Sequence, residues 1–439
     1  MPAPAHAPRR LPPPLRLEPF RATSYAVGAV SSLAAVTAAA EAPGHVLHSL
    51  TAPPYDLIDR NDRARWHRLD PHHITRVTVP PMGISGEPDH DAAAATLRQW
   101  REQGVLTTDR RPALYVYEMT GNGVSTVGVV GAISLHETGE GRVLPHEDVA
   151  EGPVHERAHL MRTVEAQLEP ILLTYRRERA SATPGVEHVI DRARTEPPWR
   201  EVHVEDLTGR GAVETHRLWR LADARDHRVV QAAVSDATAL IADGHHRYHA
   251  YLQIRDHLPG SASGLALLVD ADRHPLTLRG IHRSVRSLTF DDALRGVRAL
   301  PGASVEPFSG DVRQFCVSPP EVAPDGSTPE PARFILTDGA RWVLVRLSRA
   351  RPDEPDAAVL QPRVLEAAWG VPNEDSRLAL HHEETEAVRA ASNGIAILLR
   401  PPPLRQVMRL ATNGVLMPRK STSFGPKPRS GLLIRMLEH

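Results

Sequence analysis

The stretch that decides the predicted fold reads Thr-Ala-Leu-Ile-Ala-Asp-Gly-His-His-Arg-Tyr at residues 238–248. Its first part, Thr238–Ala242, is short and mostly apolar, which is typical of a buried strand. A helical pattern follows to about Leu258, and Asp243-Gly244 stands between the two. The sequence therefore predicts a strand that enters a helix through a glycine turn.

This turn has the chemistry of a phosphate site. The N–H groups at the start of a helix, and the positive end of the helix dipole, attract anions. Arg247, His245 and His246 add side-chain donors that can stabilise charge on a phosphate. Asp243 can hold a metal ion or orient a donor. Two alternatives stay open. One is a structural cap, and the other is a metal site of both histidines, which is disfavoured because adjacent helical residues do not share a face.

Strands and helices alternate on both sides of the turn. Upstream, the sequence predicts a strand at Ile74–Val79, a helix at Asp89–Gln103, and an antiparallel strand pair at Ala113–Glu118 and Val127–Leu135. The further predicted elements are a helix at His155–Leu168, a strand at Ile171–Tyr175, a hairpin at Ala332–Leu347 and a helix at Leu404–Thr412. This alternation indicates an α/β or α+β protein.

The composition narrows the class of protein. The chain has 439 residues, 41% of them apolar, which is enough for two or three globular domains. Its 52 basic and 53 acidic residues nearly cancel, which argues against a dedicated nucleic-acid or membrane-surface protein. A single cysteine, Cys316, excludes an intramolecular disulfide framework, and no apolar run is long enough to span a membrane. We therefore expect a cytoplasmic protein.

Only two of the 52 basic side chains are lysines, Lys420 and Lys427, and both lie within Met417–Pro428. Lysine carries a compact ammonium group, whereas arginine carries a planar guanidinium group. The two lysines therefore either occur there by chance or indicate that arginine cannot replace lysine at these positions. Lys420-Ser421-Thr422 is similar to part of a phosphate-binding loop, although the glycine spacing of such a loop is absent. We interpret this tripeptide, together with Lys427, as a second phosphate or carboxylate contact.

A second polar group lies in the short predicted strand and the residues after it, Val143–Asp148. A carboxylate beside a histidine, as in His146-Glu147, suits general-base chemistry. The alternative is a helix N-cap with solvated charges. Tyr55-Asp56 is a weaker candidate for a substrate contact, since such a pair is more often a packed loop.

The order of these motifs resembles that of the free-serine kinases of the ParB/sulfiredoxin-like fold. Those proteins carry a Pro-His-Glu element, a Pro-Ile strand and an Asp-Gly-His-His-Arg turn, which stand here at 145–147, 170–171 and 243–247. The resemblance implies that Glu147 deprotonates the substrate hydroxyl and that the turn holds the nucleotide phosphates. One departure is the long, charged stretch Arg176–Asp226 between the strand and the turn.

Nearly the whole chain also resembles a family of undefined function, number one-thousand-and-fifteen among the domains of unknown function. The matching motifs include Pro19-Phe20-Arg21, Trp100–Leu106 and Met417–Gly431. The family usually carries His-Glu-Arg-Thr and Pro-Thr-His-Arg where residues 146–149 and 280–283 read His-Glu-Asp-Val and Gly-Ile-His-Arg. These departures leave the charged core in place but could alter the choice of substrate.

These patterns and resemblances predict an α+β fold, with a ParB/sulfiredoxin-like core and additional α/β regions on either side. We expect a flexible leader at 1–16 and an N-terminal α/β region at 17–142. The catalytic core is expected at 143–290 with an insertion at 176–226, and a C-terminal α/β region at 291–439.

The predicted function is a small-molecule kinase that uses Mg²⁺ and transfers phosphate from ATP or ADP to the hydroxyl of free serine or a related hydroxy amino acid. The alternative is a ParB-like nucleotide-binding or nucleic-acid-associated protein without kinase activity, but no basic helix-turn-helix pattern supports it. A sulfiredoxin would need a cysteine where His245 stands.

The predicted site consists of three groups of residues. The catalytic residues are Glu147, Asp243 and His246, with Asp243 also as the Mg²⁺ ligand. The phosphate-binding residues are Gly244, His245, Arg247, Lys420, Ser421 and Thr422, and the substrate contacts are His146, Tyr55 and Asp56.

Overall fold

The structure is a computed structural model that describes residues 13–26, 47–58, 63–121, 123–176, 185–205, 213–321, 323 and 330–437. The chain forms two compact units. The first comprises Met1–Leu144, Ala150–Leu276 and Pro426–His439, and the second comprises Pro145–Val149 and Thr277–Gly425. The region 143–290, expected to be one core, is thus divided, and Glu147 belongs to the second unit.

The first unit contains two sheets. Its strands are β1 (Leu17–Glu18), β2 (Ala22–Tyr25), β3 (Leu106–Thr108), β4 (Leu114–Gly121), β5 (Val124–Ser134), β6 (Val143–Leu144), β7 (Ala166–Gln167), β8 (Ile171–Arg176), β9 (Arg200–Glu205), β10 (Val213–Leu221), β11 (Thr238–Asp243), β12 (Ser263–Asp270) and β21 (Ile434–Met436). The large mixed sheet has the order β6-β11-β8-β12-β5-β4-β10-β9, with β1 on β5, and the small sheet has the order β3-β2-β21-β7.

Helices pack on these sheets. They are α1 (Arg63–Leu69), α2 (Thr75–Thr78), α3 (His90–Glu102), α4 (Glu151–Val164), α5 (Val186–Arg194), α6 (Ala224–Val234) and α7 (His245–Ile254). The side chain of Asp89 caps α3 by accepting a hydrogen bond from the N–H of Ala92 at 2.9 Å. The helix ends before Gly104, whose φ is +73°. The boundaries predicted for this helix are therefore confirmed to within one residue.

Strands β8 and β11 lie within the large sheet and are almost wholly buried, which explains their continuous apolar sequences. The two strands are antiparallel, so Asp243 at the end of β11 pairs with Leu172 near the start of β8. This register brings the residues before β8 close to the turn that follows β11. The predicted passage from strand to glycine to helix at residues 238–248 is confirmed.

The second unit is also mixed α+β. Its elements are β13 (Thr277–Gly280), β14 (His282–Arg286), α8 (Phe290–Arg298), β15 (Ala303–Pro307), α9 (Val312–Val317), β16 (Ala332–Thr337), β17 (Trp342–Leu347), α10 (Asp356–Leu360), a π-helix (Gln361–Ala368), β18 (Leu378–His381), α11 (Glu384–Ala390), β19 (Gly394–Leu399), α12 (Leu404–Thr412) and β20 (Thr422–Gly425). One sheet has the order β15-β17-β16-β19-β14-β18, and β13 pairs with β20. The predicted hairpin of β16 with β17 and the predicted helix α12 are confirmed.

Two local predictions are wrong. The expected strand at Ile74–Val79 is the short helix α2, because Ile74 and Val77 both face the core at a spacing of three. The helix expected to reach Leu168 ends at Val164, because Glu165 adopts a left-handed conformation with φ of +50°.

The structure also bears on two expected segments, the insertion at 176–226 and the leader at 1–16. The charged stretch 176–226 was interpreted as an insertion, but its strand β10 pairs with β4 and extends the large sheet. Residues 1–12 of the expected leader lie outside the described residues, whereas Leu15 is buried and its N–H donates to the carbonyl of Ser235 at 2.9 Å.

Acidification should destabilise the first unit through His73. This side chain is buried, and burial, followed by the charges of Arg429 and His67, lowers its pKa to about 3. A histidine in an unfolded chain has a pKa near 6.5. Below that pH the side chain is protonated in the unfolded state but stays neutral in the folded state. The contribution of neutral His73 to the free energy of unfolding is therefore present above pH 6.5 and is lost as the pH falls. We expect the free energy of unfolding to decrease by about 2 kcal/mol between pH 7.5 and 5.

Denaturant unfolding of the parent and of His73→Asn across this pH range would measure the effect. Asparagine keeps an acceptor for the N–H of Thr75, which the Nδ1 atom of His73 accepts at 3.3 Å. The variant should therefore lose less stability on acidification than the parent. Equal slopes for the two proteins would contradict the assignment.

Candidate functional site

The carboxylate of Asp243 lies between two cations at the end of β11. Its Oδ2 accepts a hydrogen bond from Nη2 of Arg247 at 2.5 Å, and its Oδ1 accepts one from Nζ of Lys427. Asp243 is 6% exposed and Arg247 only 1%. Of the two lysines, Lys427 is thus the one that contacts Asp243, whereas Lys420 belongs to the second unit.

The two terminal nitrogens of the Arg247 guanidinium both donate within the first unit, whereas its buried Nε has no hydrogen-bond partner among the described residues. Its Nη1 donates to the carbonyl of Pro170 at 2.8 Å and to Oε2 of Glu169 at 3.4 Å. The same Oε2 accepts from the hydroxyl of Ser430 at 2.9 Å and from the N–H of Tyr55 at 3.4 Å. Arg247, expected to bind a phosphate, instead connects the turn to the residues before β8 in this structure.

Both charged groups of this anchor have shifted pKa values. Burial alone lowers the pKa of Arg247, but the carboxylates of Glu169 and Asp243 outweigh it, so the pKa is raised and the guanidinium stays charged. Burial raises the pKa of Glu169, and the charge of Arg247 opposes this shift. Glu169 was missed as a site residue. The signal that could have found it is a carboxylate two residues before the apolar strand β8.

Gly244 forms the turn itself and is the N-cap of α7. Its φ is +91°, in the left-handed region that favours glycine. A Cβ at this position would lie 2.8 Å from Cγ2 of Ile171 and 3.0 Å from Nη2 of Arg247. The N-cap has no side-chain hydrogen bond, and the first N–H groups of a helix have no acceptor inside it. The start of α7 therefore has the donor geometry that suits an anion.

The two histidines of the turn are half-buried. The Nε2 atom of His246 accepts a hydrogen bond from the N–H of Ala150, the N-cap residue of α4, at 3.3 Å. His246 thereby connects the turn to the start of a second helix.

Tyr55 and Asp56 lie near Arg247, in the first unit. The Tyr55 ring centre lies 4.3 Å from the guanidinium carbon of Arg157 and 5.9 Å from that of Arg247. Asp56 is exposed, and its charge contributes to the raised pKa of both Arg247 and Lys427. The predicted pair thus lies within electrostatic reach of the turn.

Glu147 shapes a loop in the second unit. Its Oε1 accepts hydrogen bonds from the N–H groups of Ser421 and Thr422 at 2.9 and 3.0 Å and from the Thr422 hydroxyl at 3.0 Å. Its Oε2 accepts from the N–H of Lys420 at 2.9 Å. The Nε2 atom of His146 lies 2.8 Å from the Thr422 hydroxyl. The structure therefore brings His146, Glu147 and residues 420–422 together.

The backbone of Lys420 is held from both sides. Its φ is +55°, a conformation that costs energy in a residue with a side chain. Its carbonyl accepts a hydrogen bond from Nη2 of the buried Arg283 at 3.0 Å, while its N–H donates to Glu147. The hydroxyl of Ser421 donates to the carbonyl of Pro418 at 2.5 Å. The loop geometry is thus set by its neighbours.

The residues of the turn do not fit a protein-bound Mg²⁺. Both oxygens of Asp243, the predicted ligand, are already paired with cations. Throughout the described part of the chain, no group of three or more histidine, cysteine or acidic side chains could hold a metal ion. Asp243 is thus an ion-pair partner of Arg247 and Lys427 and not the expected Mg²⁺ ligand.

The chain belongs to the family described as "Protein of unknown function (DUF1015)", whose model matches residues 33–364. No curated protein matches the sequence significantly. Within the described residues, no helix is both long and apolar enough to cross a membrane.

Several solved structures are similar to the chain at a distance. A free serine kinase in complex with AMP shares 13% identity at a TM-score of 0.34, covering 65% of this chain and 87% of that one. A conserved hypothetical protein from Pyrococcus furiosus shares 12% at 0.34, covering 67% and 92%. SbnI with a C-terminal truncation, from Staphylococcus aureus, shares 11% at 0.38, covering 71% and 89%. Likenesses of this size do not assign a function.

Replacing Gly244 by alanine should destabilise the first unit more than the same change at Gly104. Both glycines have positive φ, so each substitution costs about 1 kcal/mol in backbone conformation. A Cβ at Gly104 meets nothing within 4 Å, whereas at Gly244 it meets Ile171 and Arg247. We expect an additional loss of about 1–3 kcal/mol at Gly244, as overpacking usually costs.

Thermal unfolding of both variants and of the parent would measure the difference. Equal losses of stability would show that the turn accommodates a side chain, and would remove the steric argument for glycine at position 244.

Proposed function

We propose that the chain is a kinase that transfers a phosphoryl group from ATP or ADP to the hydroxyl of free serine or a related hydroxy amino acid. The observation that carries the proposal is the Gly244 turn at the start of α7. It offers an N-cap without a side-chain partner, preceded by a strand and followed by two histidines. Helix N-termini of this kind bind phosphate through backbone donors and the helix dipole.

In this proposal the residues of the turn have separate tasks. The backbone around Gly244 and the side chain of His245 bind the nucleotide phosphates. Asp243 and Arg247 hold the turn in shape, as their buried hydrogen bonds support. His246 orders the turn through its bond to the N–H of Ala150. Fixed donors of this type stabilise charge without having to reorganise during the reaction.

The acceptor is proposed to be a hydroxy amino acid because of Asp56. Its exposed carboxylate stands beside Tyr55, whose N–H already binds Glu169. An exposed carboxylate is suited to the α-ammonium group of a free amino acid.

Glu147 is proposed to accept the hydroxyl proton. Its Oε1 accepts three hydrogen bonds, but its Oε2 accepts only one from the described residues, which leaves a lone pair for a substrate hydroxyl. As the bond from the acceptor oxygen to phosphorus forms, the bond from phosphorus to the nucleotide oxygen breaks and the proton passes to Glu147. The products are the phosphorylated amino acid and the nucleotide shortened by one phosphate.

Incubation of the protein with serine, threonine or homoserine and with ATP or ADP tests the proposal. We expect a phosphorylated amino acid by mass spectrometry, in an amount equal to the nucleotide consumed. Alanine, which lacks the hydroxyl, is the matched acceptor control, and His245→Ala should bind nucleotide more weakly. Nucleotide binding without any phosphorylated acceptor would favour the alternative, a nucleotide-binding protein without kinase activity.

Glu147→Gln separates a proton acceptor from a loop anchor. The change should lower turnover by about 10²–10⁴-fold, the usual worth of general-base catalysis, and leave nucleotide affinity nearly unchanged. Thr422→Val is the comparison, because it removes one hydrogen bond to Glu147 but leaves the carboxylate. It should lower turnover less than about tenfold. Equal losses of turnover in the two variants would mean that Glu147 acts only by shaping the loop.

A further inference from the structure

Lys427 lies at the phosphate turn with most of its hydrogen-bonding capacity unused. Its side chain is 12% exposed and pairs with Oδ1 of Asp243. An ammonium group has three donors, and Asp243 is the one hydrogen-bond acceptor that the described residues provide for it. Two N–H groups of a nearly buried cation are therefore left next to the residue that precedes Gly244.

The ammonium of Lys427 remains charged at this place. Burial by itself lowers its pKa, but the charges of Asp243 and Asp56 outweigh the burial, so the pKa is raised. The charges of Asp243 and Glu169 are balanced by those of Arg247 and Lys427. Both terminal nitrogens of Arg247 donate to internal acceptors, and its unpartnered Nε is buried. The side chain of Lys427 is 12% exposed, so Lys427 is the cation of this cluster whose remaining donors a ligand can reach.

We infer that Lys427 is a phosphate ligand of the nucleotide site, and that its ammonium bridges Asp243 and a phosphate oxygen of the bound nucleotide. The inference rests on the proposed function, since it assumes that the turn binds a nucleotide. A cation in this position neutralises charge on the phosphate in a partly buried site, where electrostatic interactions are strong. The site thereby combines backbone donors at the start of α7 with the ammonium group of Lys427.

The choice of lysine over arginine is consistent with this role. Two of the 52 basic residues are lysines, and one of them occupies this nearly buried position. An ammonium donates in three directions from one atom, so it can serve Asp243 and a phosphate together. A planar guanidinium is larger and donates in one plane, and it would have to displace its neighbours.

Calorimetric titration of Lys427→Met with ADP and with adenosine tests the inference. We expect the affinity for ADP to fall about 10- to 100-fold, as the loss of a charge-assisted hydrogen bond predicts. Adenosine has no phosphate, so its affinity should change less than about threefold. Equal losses for both probes, or no loss for ADP, would overturn the inference.

A double variant keeps the test valid if Lys427→Met fails to fold. Asp243→Asn with Lys427→Met removes both charges of the pair, so no buried charge is left alone. A purely structural Lys427 predicts that the double variant regains both stability and ADP affinity. A phosphate ligand predicts that it regains stability but still binds ADP weakly. If the parent binds ADP with no measurable affinity, the proposed function fails. If the parent binds ADP and the variants match it, only the assignment of Lys427 fails.

Discussion

The first unit depends on how a buried carboxylate, that of Asp243, is compensated. Removing a carboxylate from water costs several kcal/mol unless cations and donors replace the water. Here Arg247 and Lys427 supply the cations, and Arg247 is itself fixed by Glu169. The partners are 78 and 184 residues apart in the chain. Gly244 adopts its left-handed conformation without a steric cost, and a side chain there would collide with Ile171 and Arg247 of its surroundings.

This arrangement changes which groups remain available to a ligand. Arg247 looks like a phosphate donor in the motif, but its guanidinium is buried and both of its terminal nitrogens donate to internal acceptors. In the proposed function, the phosphate is therefore bound by backbone N–H groups at the start of α7, which need no side-chain ordering. A glycine N-cap suits such a site, because a longer side chain would both collide with Ile171 and cover these donors.

In the second unit a carboxylate is compensated differently. Glu147 is satisfied by backbone N–H groups and a hydroxyl instead of a cation. Those bonds, together with the one from Arg283 to the carbonyl of Lys420, hold the left-handed conformation of Lys420. A carboxylate can thus order a loop and still keep a lone pair for chemistry, so the two roles assigned to Glu147 do not exclude each other.

The sequence by itself determined the elements whose signals are local. The strand β11, the glycine turn and helix α7 follow from apolar runs and a capping position within a few residues. Local patterns failed at Ile74–Val79, where six residues fit a strand or a helix equally well. Only the tertiary structure decided that Arg247 points inward and that Lys427 meets Asp243, because these contacts join distant segments. Their energies depend on burial and on partners that no local pattern contains.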